Sequence, residues 1–128
     1  MSTQERRQHP RVAVNRSATV RTTNGQTRRV QLVDLSIAGL GLLLPQAVTI
    51  GDSLDISFHL SHGNQSQFIT AQGIIRRSHI RGNEIVVGIE IKHIEPDAQK
   101  LIAAFVRHKL ELGGHLHSGQ ATDPASTA

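Results

Sequence analysis

The sequence contains no cysteine, tryptophan or tyrosine, and only three phenylalanines. Without cysteine, the chain can form neither a disulfide framework nor a thiolate metal site. Aromatic residues make up only 2% of the chain, whereas proteins that bind single-stranded nucleic acid commonly use aromatic platforms on which the bases stack. A small nucleic-acid-binding barrel is therefore supported by the basic charge of the chain but not by its aromatic content.

Long hydrophobic runs are also lacking. The first ten residues, MSTQERRQHP, contain no apolar segment, which argues against a secretory signal. No stretch of about 18 apolar residues occurs, so we expect no membrane-spanning helix. These absences predict a cytoplasmic protein without membrane insertion.

The chain has 128 residues, of which 38% are hydrophobic, and this predicts one domain with a single modest core. A formal net charge of +4 favours anionic partners, although such a charge is also ordinary for a soluble chain of this size. Arginines are concentrated in three clusters: Arg6, Arg7 and Arg11; Arg28 and Arg29; and Arg76, Arg77 and Arg81. We expect Arg76 and Arg77 to close a strand, and we favour a solvated edge for them over the alternative that they lie at the same barrel end as the ligand.

Alternation of apolar and polar residues predicts a series of short strands. The pattern is clearest where Leu54, Ile56, Phe58 and Leu60 alternate with polar neighbours. Turn signals such as Asn24-Gly25 separate the apolar segments, because glycine readily adopts the positive φ that tight hairpins need. The predicted strands are residues 12–20, 27–36, 39–44, 54–60, 69–75 and 85–91.

The hydrophobic period changes after Pro96, which is suited to the first position of a helix. The apolar residues then recur at three- and four-residue spacing, which is typical of one face of an amphipathic helix; they are Leu101, Ile102, Phe105, Val106 and Leu110. We expect this helix to span about 96–112 and to end at Gly113-Gly114, with 113–128 a disordered tail. The sequence thus predicts an all-β fold with a C-terminal helix: a six-stranded antiparallel, Greek-key-like β-barrel within residues 12–112, preceded by a flexible arm, 1–11.

The arm contains the segment Arg7-Gln8-His9-Pro10-Arg11. In an extended chain Arg7 and Arg11 point the same way about 13 Å apart, so they could straddle a ligand that carries two separated anions. The guanidinium fork matches phosphate oxygens and also the acceptors on the exposed edge of guanine. The alternative is an ordinary solvated basic N-terminus.

The second segment is Asp34-Leu35-Ser36-Ile37-Ala38-Gly39, at the end of the second predicted strand. Alternation places Asp34 and Ser36 side by side on the outer face, with Val33, Leu35 and Ile37 in the core. A carboxylate accepts hydrogen bonds and suits the N–H donors of guanine, and a hydroxyl can donate or accept beside it. Gly39 would permit a tight turn or a close approach to the backbone. The alternative is a turn whose Asp and Ser bind their own backbone.

Together the two segments resemble the signatures of the PilZ domain family, RxxxR before the first strand and DxSxxG at the end of the second. Every signature position is filled, by Arg7, Arg11, Asp34, Ser36 and Gly39. The resemblance covers roughly residues 5–112. The family has a six-stranded antiparallel barrel with a C-terminal helix, in agreement with the strand and helix patterns.

The resemblance implies that the domain binds cyclic di-GMP, a bacterial second messenger, and that it needs no cofactor. By carry-over, Arg7 and Arg11 hold phosphates and guanine edges, while Asp34 and Ser36 hold guanine. Arg6 extends the first motif to RRxxxR, which in similar domains accompanies an intercalated pair of ligand molecules. An arm that becomes ordered over the ligand would signal to a downstream protein that the sequence does not identify.

Other functions stay open. Some PilZ members are ligand-free protein-interaction modules in pilus assembly, but these depart from the two motifs that this chain keeps. An enzyme is disfavoured because no acid–base or nucleophile constellation emerges. His115 and His117 form an HxH pair, but no carboxylate or cysteine accompanies them, so we expect no metal site.

Overall fold

The structure, a computed structural model, describes residues 9–119 as six β-strands followed by one α-helix. The strands are β1 (Val12–Thr22), β2 (Thr27–Leu35), β3 (Gly39–Leu44), β4 (Ser53–His62), β5 (Gln65–Arg81) and β6 (Glu84–Ile94), and the helix is α1 (Pro96–Gly119). All strand pairs are antiparallel, and they form a closed barrel in the order β1-β2-β3-β6-β5-β4. The predicted fold is confirmed.

The barrel consists of two three-stranded meanders that meet along both sides. Leu42 of β3 lies opposite Val87 of β6, and Val20 of β1 lies opposite Ile56 of β4. Each strand therefore has a partner on both sides, so the barrel has no open edge that could pair with another chain. Gly25 has a φ of 88°, in the left-handed region that the hairpin between β1 and β2 requires.

Aliphatic side chains at alternating positions fill the barrel, because successive residues of a strand point to opposite faces. On β4, all four of the apolar residues that the sequence pattern identified are buried. The other strands contribute Ala18, Val20, Leu32, Leu35, Leu40, Leu42, Ile69, Ile75, Val87 and Ile89 to the same core. One continuous core results, as expected for a domain of this size.

Helix α1 packs mainly against β4 and adds a buried apolar face to the core. That face consists of Ala98, Leu101, Ile102, Phe105 and Val106. Leu110, which the periodicity assigned to it, is 38% exposed. The guanidinium of Arg16 lies 5.4 Å from the centre of the Phe105 ring, and this contact explains why an arginine interrupts the apolar side of β1.

The helix differs from the prediction at its C-terminal end, because it continues through Gly113 and Gly114 to Gly119. A glycine ends a helix when it adopts a left-handed φ, and Gly113 has no positive φ. A helical glycine costs only about 1 kcal/mol relative to alanine, so its presence does not force an end. Of the predicted tail, residues 113–119 are helical, and 120–128 lie outside the described residues.

Candidate functional site

The turn that joins β2 to β3 is built around Ser36, which is only 2% exposed. Its hydroxyl accepts hydrogen bonds from the N–H groups of Ala38 at 3.1 Å and Gly39 at 3.0 Å, and donates to the Gly39 carbonyl at 3.2 Å. The Ser36 N–H donates to that same carbonyl at 2.8 Å. The self-bonded turn that the sequence left open as an alternative is therefore what forms here.

The expected outward pairing of Asp34 and Ser36 is not observed, because β2 ends at Leu35 and Ser36 already belongs to the turn that its hydroxyl stabilises. In addition, β2 is irregular where it meets β3. The register shifts between Leu32 and Asp34. Leu32 and Leu35 are both fully buried, while Val33 is only half-buried. A bulge of this kind resets the alternation of the strand. Asp34 stays on the outer face, and Ser36 turns inward.

Gly39 is required by a close approach between strands rather than by a tight turn. A Cβ at this position would lie 2.6 Å from the carbonyl oxygen of Ile89 on β6, far inside van der Waals contact. The next anchor along the turn is a hydrogen bond from the Ile91 N–H to the Ala38 carbonyl at 2.9 Å. Any larger residue at position 39 would push the motif turn away from β6.

The carboxylate of Asp34 lies over Gly41 and faces Arg11. A Cβ at Gly41 would meet Oδ2 of Asp34 at 2.5 Å, so the missing side chain makes room for the carboxylate. Nη1 of Arg11 is 3.6 Å from Oδ1 of Asp34, an ion pair too long for a hydrogen bond. That Oδ1 is buried, and no described residue donates a hydrogen bond to it. A buried acceptor without a donor is unusual in a native structure.

Four residues that lie opposite one another on neighbouring strands form a row from the Asp34 carboxylate to an arginine, with two glycines between them. Asp34 lies opposite Gly41, Gly41 opposite Gly88, and Gly88 opposite Arg77. The Arg77 side chain lies over Gly88, with Nε 3.4 Å from where a Cβ would be. The row spans three strand spacings, about 14 Å. The outer face thus presents a shallow floor with an acid at one end and a guanidinium at the other.

Arg76 and Arg77 both point outward because β5 carries a bulge. Ile75 lies opposite Ile89, and Arg77 lies opposite the very next residue, Gly88, so Arg76 is the extra residue. A bulge re-aims side chains in this way and is common beside binding sites. The prediction that these arginines close a strand is wrong, since β5 continues to Arg81.

Glu90 on β6 lies between two cations. Its Oε1 accepts a hydrogen bond of 2.7 Å from Nε of Arg76, and its Oε2 is 3.8 Å from Nζ of Lys92. The Arg76 hydrogen bond and the Lys92 charge hold the pKa of Glu90 below its ordinary value of 4.5, against a small opposing effect of desolvation. Glu90 is therefore ionised at neutral pH.

A cleft of about 160 Å³ joins these features. Its lining includes Arg11, Ser36, Gly39 and both bulge arginines, together with Glu90. His9 and Ala38 also line an adjoining cleft of about 750 Å³, which runs along β6 to the beginning of α1. The two clefts share a wall and form one concave surface at the base of the N-terminal arm.

The structure brings together Arg11, Asp34, Ser36 and Gly39 of the predicted site, while Arg6 and Arg7 lie outside the described residues. Sequence reasoning missed Glu90 altogether and gave the location of Arg76 and Arg77 beside the ligand only as the less favoured alternative. A signal was present: two adjacent arginines after Ile75 break the alternation of a strand, as a bulge does.

The described residues were also compared with what a metal site and a membrane-spanning helix require. No group of three or more histidine, cysteine or acidic residues there could hold a metal ion. The side chains of the HxH pair, His115 and His117, lie outside this part. Over the same residues, no helix has both the length and the apolar character needed to cross a bilayer.

Known structures of similar shape share this fold at low sequence identity. The inhibitor of motility MotI/DgrA of Bacillus subtilis superposes with a TM-score of 0.71 at 17% identity, over 81% of this chain and 51% of its own. YcgR of Escherichia coli in complex with c-di-GMP gives 0.68 at 16%, over 88% and 49%. The separate YcgR PilZ domain with c-di-GMP gives 0.60 at 20%, over 90% and 99%.

The chain spans about half the length of MotI/DgrA and of full YcgR, but nearly all of the separate YcgR domain. Among curated proteins no sequence matches it significantly. The family model described as "PilZ domain" matches residues 5–108, which include both arginine and DxSxxG motifs and all six strands. The chain belongs to the PilZ domain family.

Proposed function

We propose that this domain is a receptor, not an enzyme, and that its ligand is cyclic di-GMP (c-di-GMP). The observation that carries the proposal is the pairing of Arg11 with Asp34 beside a cleft whose other cations are Arg76 and Arg77. The YcgR structures of the same fold contain c-di-GMP. A site that combines guanidinium groups with a poorly satisfied carboxylate fits a ligand that has both phosphates and guanines.

The chemistry of the site is matched to the two kinds of group in this ligand. Guanidinium groups bind phosphate oxygens, and they also bind the O6 and N7 acceptors of guanine. The Asp34 carboxylate can accept hydrogen bonds from the N1–H and N2–H₂ donors of guanine. Its Oδ1 has no donor among the described residues, so an incoming N–H group would satisfy a buried acceptor.

We assign Ser36 and Gly39 to positioning rather than to direct contact. The Ser36 hydroxyl has one donor and two acceptor positions, and the turn uses all three. Gly39 lets the turn lie against β6. Both residues therefore act by fixing where Asp34 and the backbone of the turn are held.

The ligand would extend beyond the smaller cleft. Its 160 Å³ is below the roughly 300–1,000 Å³ of pockets that hold drug-sized ligands. The adjoining 750 Å³ cleft provides further room. We propose that Arg6 and Arg7 close over the ligand from the arm, and that an intercalated pair of ligand molecules occupies the two clefts.

Ordering of the arm would be the signal. Residues fixed over a bound ligand change the surface that the domain shows to another protein. Since the ligand is an intracellular messenger, we place the domain in the cytoplasm, where a downstream protein would read the change.

Titration calorimetry with c-di-GMP, GTP and a short RNA tests the proposal. We expect only c-di-GMP to bind, with a dissociation constant of about 1 μM, equivalent to about −8 kcal/mol. Arg7→Ala and Arg11→Ala should each remove most of the heat. A fitted ratio of two ligands per chain is expected from the intercalated pair, and a ratio of one would refute that pair alone.

Two outcomes would favour other functions. Equal binding of RNA would indicate a nucleic-acid-binding barrel, and the absence of any c-di-GMP heat would indicate a ligand-free protein-interaction module. The Arg28→Ala/Arg29→Ala double variant is a suitable control, because it removes two charges from β2 at the β1–β2 hairpin, outside both clefts.

A further inference from the structure

Glu90 is a carboxylate inside a site that we propose binds an anion. It lines the smaller cleft together with Arg11, Arg76 and Arg77. A negative group there opposes an anionic ligand, so its presence needs a physical reason. The inference below rests on the proposed function and concerns how this same site is regulated.

Both cations that contact this carboxylate are bulge residues. Arg76 is the extra residue of β5, and on β6 the register step from Gln72–His93 to Gly73–Ile91 makes Lys92 the extra residue. Lys92 and Arg76 therefore approach Glu90 from two neighbouring strands, at 3.8 Å and 2.7 Å. All three charged side chains lie on the same outer face, because Lys92 follows Glu90 by two residues on β6 and Arg76 follows Ile74, the cross-strand partner of Glu90, by two residues on β5.

The other arginines of the cleft are not engaged in this way. Arg77 lies flat over Gly88 and has no carboxylate oxygen within 4 Å among the described residues. Arg11 faces Asp34 at 3.6 Å without a hydrogen bond. The shortest ion pair at the site is thus the one between Glu90 and Arg76, whose Nε donor is already in use before any ligand arrives.

We infer that Glu90 is an internal anion that holds the place of a ligand phosphate, keeping Arg76 and Lys92 occupied until c-di-GMP displaces it. When the ligand binds, Arg76 exchanges the Glu90 carboxylate for a ligand phosphate, whereas an unpaired arginine would gain a new partner without losing one. The exchange lowers affinity. It also selects for ligands with enough negative charge to compete with a carboxylate.

The test is calorimetric titration of c-di-GMP into the full chain carrying Glu90→Gln. We expect a dissociation constant about two- to fivefold lower than that of the wild type, as for the loss of a partly exposed competing charge. The affinity should also fall more steeply with added salt, because more of the binding then comes from unpaired cations. Glu90→Ala, which leaves no amide in place of the carboxylate, should behave in the same way.

Glu84→Gln is the matched control. Glu84 begins β6 six residues earlier, about 20 Å along the strand, and forms no ion pair within 4 Å with any side chain that the structure describes, those of residues 9–113. It changes the net charge equally but should leave the affinity unchanged. An equal gain in Glu84→Gln and Glu90→Gln would mean a general charge effect and would overturn the inference.

Two further results would also overturn it. Unchanged affinity in Glu90→Gln would mean that the carboxylate only joins the strands, and weaker binding would mean that it accepts a hydrogen bond from guanine. In both cases c-di-GMP binding by the wild type would still support the receptor. A wild-type protein that binds no c-di-GMP would instead remove the proposed function together with this inference.

Discussion

At the scale of single residues, the hydroxyl of Ser36 uses all of its hydrogen-bonding capacity within the turn that follows β2. Because the side chain is buried, these bonds replace water that the backbone would otherwise bind. A signature serine can therefore serve a binding site without touching the ligand. Its contribution is to hold the N–H groups of Ala38 and Gly39.

Ser36→Ala should destabilise the fold by about 1–3 kcal/mol, since it leaves buried N–H groups without their side-chain acceptor. Urea unfolding measures this loss, and calorimetry should show weaker c-di-GMP binding as a consequence. Ser61→Ala is the control, because its exposed hydroxyl bonds only to Ser66 and should change stability by less than about 0.5 kcal/mol. If Ser36→Ala were as stable as Ser61→Ala yet failed to bind, a direct ligand contact by Ser36 would be indicated.

Two glycines that are two residues apart should respond differently to alanine. Gly41→Ala places a Cβ against the Asp34 carboxylate, and Gly39→Ala places one against the Ile89 backbone. The carboxylate can rotate away, so Gly41→Ala should mainly weaken ligand binding. The β6 backbone cannot, so Gly39→Ala should lower the unfolding free energy by about 1–3 kcal/mol.

Urea denaturation and ligand titration on the same two variants separate these effects. Equal losses of stability in Gly39→Ala and Gly41→Ala would show that the Asp34 side chain is held as rigidly as the β6 backbone. That result would contradict the expectation that the Asp34 carboxylate can move to contact a ligand.

At the scale of elements, bulges decide which side chains the barrel presents. The bulge in β2 leaves Val33 only half-buried between the buried Leu32 and the outward Asp34, and the bulge in β5 puts Arg76 beside Arg77 on the outer face. Each adds one residue and so reverses the alternation of the side chains after it. Within one barrel the same device removes a valine from the core at one place and gives an outward arginine pair at another.

The pair between β5 and β6 should make stability depend on acid pH. Arg76 and Lys92 lower the pKa of Glu90 from 4.5, so the folded state favours the carboxylate. Such a contribution is complete above the unfolded value and is lost as the pH falls through the lower folded value. The stability difference between wild type and Glu90→Gln should thus be constant above about pH 5.5 and shrink below 4.5.

Urea midpoints measured at a series of pH values, with Glu84→Gln in parallel, check this expectation. The contribution is small because the pair is half exposed and screened by solvent. A difference that instead grew on acidification would show that Glu90 is destabilising in the folded state.

At the scale of the whole molecule, the barrel is closed and its core is complete within the described residues. The first residue that contributes to this core is Val12, which directly follows the arm. Stability and binding are therefore expected to depend on different parts of the chain. The barrel provides a fixed surface, and the arm supplies the arginines that precede β1.

Deletion of residues 1–8 should leave the melting temperature of the ligand-free protein unchanged and abolish its rise with c-di-GMP. At a ligand concentration 100 times the dissociation constant, binding stabilises the folded state by about 2.7 kcal/mol. For a domain of this size, we expect that to raise the melting temperature by roughly 5–15 °C. Differential scanning calorimetry with and without ligand measures both quantities. A truncated chain that kept the full ligand shift would refute a role for Arg6 and Arg7.

Much of this molecule follows from local pattern. The alternation on β4 and the three- and four-residue spacing in α1 predict a strand and a helix, because the period of the apolar residues depends only on local backbone geometry. The helix end did not follow, since Gly113 adopts helical rather than left-handed backbone angles. Nor did the burial of Ser36, because β2 ends at Leu35 and the turn that follows directs the hydroxyl to its own backbone.

Hydrophobic period and turn chemistry act over a few residues, so the amino-acid pattern was sufficient to predict the order of the strands and the helix, the single core and the family signatures. That Arg76, Arg77 and Glu90 share a cleft with Arg11 becomes apparent only in the folded barrel. That meeting requires barrel closure between β3 and β6 and bulges whose register is fixed by the partner strand. Contacts between strands that are distant in sequence depend on the packing of the whole barrel, so a pattern of neighbouring residues cannot predict them.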